Sequence, residues 1–100
     1  MIQTTARIET WRIDQVRKYL KREFPGSTLD DYPRGAHAAH LFLVRKEPGI
    51  GKGRPTTHQL LVTRGFFDRF TDQGALHEAL VVGDVAEQLR RSGERTVELY

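Results

Sequence analysis

The chain predicts an α+β fold: a small single domain with an N-terminal helix, an antiparallel sheet of three to four strands built on a long-looped central hairpin, C-terminal helices and a final strand. Three observations carry this. Two strand-length apolar runs, His40–Val44 and Gln59–Thr63, flank a Gly/Pro-rich connection, which is how a long-looped hairpin reads. An apolar stripe at helical period precedes them. A second helical pattern follows, before a closing alternation at Thr96–Tyr100. The 100 residues suit one domain, and a chain this short buries a modest share of its surface, so self-association is a natural way to cover more.

Residues 1–9 are polar and expected to be flexible. Ile13, Val16, Tyr19, Leu20 and Phe24 then fall at spacings of 3, 3, 1 and 4, one face of a helix. Thr10 or Asp14 is placed to cap it, Trp11 to staple its entry, and Pro25-Gly26 to stop it. Its polar face carries Arg12, Arg17, Lys18, Lys21 and Arg22. Ser27–Tyr32 reads as a short strand and Pro33-Arg34-Gly35 as a turn. On a strand the adjacent carboxylates Asp30 and Asp31 point to opposite faces and cannot share a proton or a metal.

In the hairpin, setting Val44 opposite Leu60 puts Phe42, Val44, Leu60 and Val62 on one face and Leu41, Leu43 and Leu61 on the other. Both faces are apolar. Helices are expected over one, and partial coverage, with dimerisation as one means, over the other. The connection 45–58 is expected to be a mobile basic arm carrying Arg45, Lys46, Lys52, Arg54 and His58, opposed by Glu47 alone. It is no phosphate-binding P-loop, because Lys46 stands where that motif needs its first glycine and Gly53 where it needs Ser or Thr. Gly49, Gly51 and Gly53 do not form the dinucleotide fingerprint either, and they lead into a strand rather than a helix N-terminus.

After a break at Arg64-Gly65, the spacing of Phe66, Phe67 and Phe70 suits aromatics packed into the core, with stacking on nucleic-acid bases as the alternative. Thr71–Gly74 reads as a turn. The apolar series from Ala75 to Leu89 is interrupted at Gly83-Asp84. Asp84 is placed to cap a last helix, Val85–Arg91, that stops at Ser92-Gly93.

The absence of cysteine excludes disulfides and thiolate metal sites. No 18-residue apolar run is present and the first seven residues hold no leader-like apolar core, so a soluble, cytoplasmic protein with no membrane contact is expected. Net charge is +3 but uneven. Residues 1–58 carry 11 Lys/Arg against 6 Asp/Glu, whereas residues 59–100 carry 5 against 7. A basic half with an exposed arm suits phosphate or an acidic protein surface.

Four histidines supply the candidate acid–base groups. The odd spacing of His37 and His40 suits no metal site on a strand, and Val81 stands where an H-E-x-x-H motif begun at His77 needs its second histidine. No metal or other cofactor is expected, and no serine or threonine sits in a nucleophile pattern. The order helix, short strand, long hairpin, helix resembles the double-stranded-RNA-binding-like layout of HicA-type toxins. Gly35-Ala36-His37 is similar to their Gly-Ser-His motif, with Ala36 in place of the serine. The downstream pattern is unmatched and the C-terminal strand is an addition. That resemblance implies mRNA cleavage, with His37 as the catalytic residue and the arm holding RNA.

The residues themselves favour a non-enzymatic, nucleic-acid-associated binding module acting through Arg17, Lys18, Lys21, Arg22, Arg45, Lys46, Lys52 and Arg54. The alternative is a protein-interaction or regulatory adaptor, homodimeric through its apolar sheet face or terminal strand. A small histidine-dependent ribonuclease is the third.

Overall fold

The computed structural model describes residues 8–34, 39–47, 53 and 55–100. Helix α1, Thr10–Glu23, turns Val16, Tyr19 and Leu20 inward, as the stripe requires. Its cap position is Glu9 rather than Thr10 or Asp14, which both lie inside the helix. Glu9 gives no side-chain cap, and its carboxylate accepts instead from Arg12 at 3.2 Å. The helix ends at Phe24, and Gly26, with φ of +82°, makes the turn that L side chains resist.

Strand β1 is Thr28–Arg34, so Pro33 and Arg34 belong to the strand rather than to a turn. Proline is tolerated there because β1 is an edge of the sheet. Strands β2, Ala39–Lys46, and β3, Thr56–Thr63, are longer than their apolar runs. Arg45, Lys46 and Thr56–His58 are therefore ladder residues, not part of a mobile arm, because backbone pairing continues past the last apolar side chain. Val44 lies opposite His58 and Phe42 opposite Leu60, two residues from the expected register. A slip of two preserves every face.

Thr63 accepts from the Phe66 N–H at 3.2 Å and so opens helix α2, Arg64–Phe67, where a break was expected. Asp72 does the same for helix α3, Gln73–Val82, through the Ala75 N–H at 2.8 Å. Helix α4 is Val85–Ser92, with Asp84 at its cap position in left-handed backbone, φ 54°. Asp84 gives no side-chain cap. The Tyr19 hydroxyl, arriving from α1, accepts the Ala86 N–H at 2.9 Å instead. Burial raises the Tyr19 pKa above its ordinary value.

Strand β4, Thr96–Leu99, completes a sheet of order β1-β2-β3-β4. It pairs parallel to β3, so the sheet is mixed rather than wholly antiparallel. The physical reason is the connection: α2, α3 and α4 form a crossover that returns the chain to the same end of the sheet. The core lies between the four helices and one sheet face, with Phe42, Val44, Leu60 and Val62 clustered with Val16, Leu20, Phe67, Leu76, Leu80 and Leu89. Phe66 and Phe67 are core and Phe70 packs against it, as their spacing implied. The opposite sheet face, with Tyr32, Leu41, Leu43 and Leu61, contributes nothing to that core. No helix among the described residues is long and apolar enough to cross a membrane.

Candidate nucleic-acid interface

Helix α1 sorts its cations by what lies beneath each. Arg12 folds inward and donates to the carbonyls of Phe67 and Phe70, the latter at 2.6 Å, tying α1 to the end of α2. Its guanidinium lies over the Trp11 ring, 4.5 Å from the centroid.

Arg17 reaches β1 instead. Its Nε and an Nη each donate to Asp31 at 2.7 Å, and its other Nη donates to Asp14 at 2.8 Å. Asp31 is inward-facing and nearly buried, at 8% side-chain exposure, and it also accepts from His40 Nε2 at 2.7 Å. A carboxylate only accepts, so His40 carries its proton on Nε2. The Arg17 hydrogen bonds hold the Asp31 carboxyl below its ordinary pKa, against the opposing effect of burial and with help from His40. Asp31 in turn pushes the Arg17 pKa up. Asp30, on the other face, takes no part, as strand alternation requires.

Arg17 is thus a structural cation, its charge paired with Asp31 and Asp14 although its side chain is partly exposed. Lys18, Lys21 and Arg22 differ. All three are exposed and none has an ion-pair partner among the described residues. They run down the outer side of α1 toward its C-terminal turn. From there Phe24–Ser27 leads directly into Thr28, which pairs with Arg45. The end of α1 and the end of β2 therefore stand at the same end of the molecule, with Arg45 and Lys46 exposed on the strand.

The Phe24 ring lies 5.5 Å from that of His58, and Arg90 donates to the Glu23 carbonyl at 2.9 Å, which fixes this end further. Arg45 pairs with Glu47 at 2.9 Å, but both are more than half exposed. Such a pair is worth less than about 1 kcal/mol and exchanges readily for another anion. Lys52, Arg54 and His37 lie outside the described residues.

His58, expected as an arm cation, is buried on β3 and donates from Nδ1 to the Gly93 carbonyl at 2.7 Å. His77 meets the Gln15 amide at 3.3 Å. No cluster of three or more His, Cys, Asp or Glu able to hold a metal occurs among the described residues.

A shallow groove of about 320 Å³ follows the outer side of α1, lined by Trp11, Asp14, Gln15, Arg17, Lys18 and Lys21 with Gln73 from α3. Sequence reasoning missed it, having read Trp11 only as a staple. The available signal was the spacing of Trp11, Lys18 and Lys21, seven and then three residues apart, which keeps them on one side of a helix. No family model matches this chain, and no curated protein or solved structure matches it either.

Proposed function

We propose that this domain is a non-enzymatic binding module for the phosphate backbone of nucleic acid, contacted by Lys18, Lys21 and Arg22 on α1 and by Arg45 and Lys46 at the end of β2. One observation carries the reading: cations from two elements distant in sequence stand toward one end of the fold, Lys46 on the sheet face that α1 covers and Arg45 on the other, and four of the five form no ion pair among the described residues. Arg17 lines the same groove as Lys18 and Lys21, but its guanidinium is already paired with Asp31 and Asp14. His40 and His58 are both buried, which favours a structural use of these two imidazoles, while His37, on which the ribonuclease reading rests, lies outside the described residues.

The test is fluorescence anisotropy of a labelled oligonucleotide across salt. About four phosphate contacts should give log K against log salt a slope near −3, at roughly −0.7 per contact for a single strand. The double variant Lys18→Glu/Lys21→Glu should lose most of the affinity while keeping its circular dichroism spectrum. Absence of binding at low salt, or binding indifferent to both salt and this charge reversal, would overturn the reading.

A further inference from the structure

The ligand class can be narrowed by asking what the α1 groove offers besides charge. The helix stripe that carries Lys18 and Lys21 begins with the chain's sole tryptophan. Trp11 is half-buried at the edge of the core, its ring lines the groove, and its Nε1–H meets no acceptor among the described residues. The ring is also braced. Arg12 lies over it, and Arg12 is itself anchored by two carbonyls of the α2 segment. Arg12 takes one face of the ring, so a second flat group would have to stack on the part of the indole that lines the groove, and a ring already braced loses little freedom in doing so.

The remaining groove residues suit the same ligand. The Asp14 carboxylate accepts from Arg17, which draws it toward that guanidinium, although Arg17 is shared with Asp31. Lys18 and Lys21, two and three turns beyond Trp11, supply uncompensated positive charge. Gln73 adds an amide that can meet a base edge.

We infer that the groove takes an unpaired nucleobase on Trp11 with the adjoining phosphates on Lys18 and Lys21, which makes single-stranded nucleic acid the preferred ligand. This rests on the backbone-binding reading above and adds a base contact to it. A duplex has its bases stacked on one another and offers no free face to an indole, whereas a single strand does, in nearly any sequence.

Because Trp11 is the sole tryptophan, its emission reports the contact directly. The intact chain is titrated with a 12-nucleotide thymidine oligomer, with a duplex of equal length, and with inorganic polyphosphate as a charge-only probe. The single strand should quench Trp11 with the same midpoint that anisotropy gives and bind about ten-fold tighter than the duplex. Polyphosphate should bind with little quenching.

Trp11→Leu keeps an apolar body at the core edge while removing the π face. It should weaken single-strand binding about ten-fold and leave duplex binding unchanged. Salt-sensitive binding that leaves Trp11 emission unaltered, or equal affinity for both strand forms, would overturn this inference while the backbone reading stood. Absence of binding by any of the three probes would remove both.

Discussion

Arg17 and Lys18 are neighbours on α1 and both line its groove, yet one is tied into a cluster with the sheet and the other is not. Arg17 faces β1, where it meets the inward carboxylate of Asp31 and, through it, the buried His40. Lys18 faces outward into a groove bounded by Trp11 and Lys21. The inner cluster spends its charge holding a helix against an edge strand. The outer stripe spends nothing, and its charge is left for a ligand. A cation therefore contributes to an interface only after the fold has been asked whether it already has a partner, and one helical step of about 100° decides the answer.

The sharpest way to break this comparison is to remove Asp31. Asp31→Ala would leave the His40 N–H buried without an acceptor and Arg17 without its main partner. Breaking a wholly buried pair costs about 3–5 kcal/mol, but Arg17 is 38% exposed and water compensates in part. We expect a loss of about 2–3 kcal/mol in urea denaturation. A cost under about 0.5 kcal/mol, in the range of an ordinary surface substitution, would mean that the inner cluster is not the strut described here.

Acid should separate the two regions more gently. Arg17 and His40 lower the Asp31 pKa in the folded state relative to the unfolded chain, whose carboxylates titrate near about 3.9. A depressed folded pKa gives stability that is fully present above the unfolded value and is lost as pH falls through the folded one. Thermal unfolding followed from neutral pH into this acid range should show that loss. Asp31→Asn should remove this contribution to the acid limb. An unchanged acid limb in Asp31→Asn would sink the assignment.

The outer stripe supplies the smallest effect on folding. Lys18→Ala and Lys21→Ala should each shift stability by less than about 0.5 kcal/mol. Together they should make the salt slope of oligonucleotide binding shallower by about 1.4. A large loss of stability with an unchanged slope would reverse the roles assigned to the two regions.

Much of the fold could be read from local pattern. The α1 stripe, the two apolar runs and the Gly83-Asp84 break each mark an element within a few residues of its observed bounds. The faces of the hairpin were legible even though the expected register was two residues off, because side chains alternate with period two. Less of the candidate site was legible. Composition points equally to Lys18, Lys21, Arg22 and Arg17; the first three lie exposed, whereas Arg17, though it lines the same groove, is paired with Asp31 and Asp14.

What the amino-acid sequence determined alone is therefore what repeats locally: which residues of a helix or strand share a side, and where each element stops. Tertiary structure decided what depends on meetings between distant segments. It set the parallel place of β4, the Tyr19 hydroxyl at the start of α4, and the joining of Arg17, Asp31 and His40 from three elements. The physical reason is that periodicity fixes a side chain's direction within its own element. Whether that direction ends in a partner or in water depends on where the next element docks, and no local spacing encodes that.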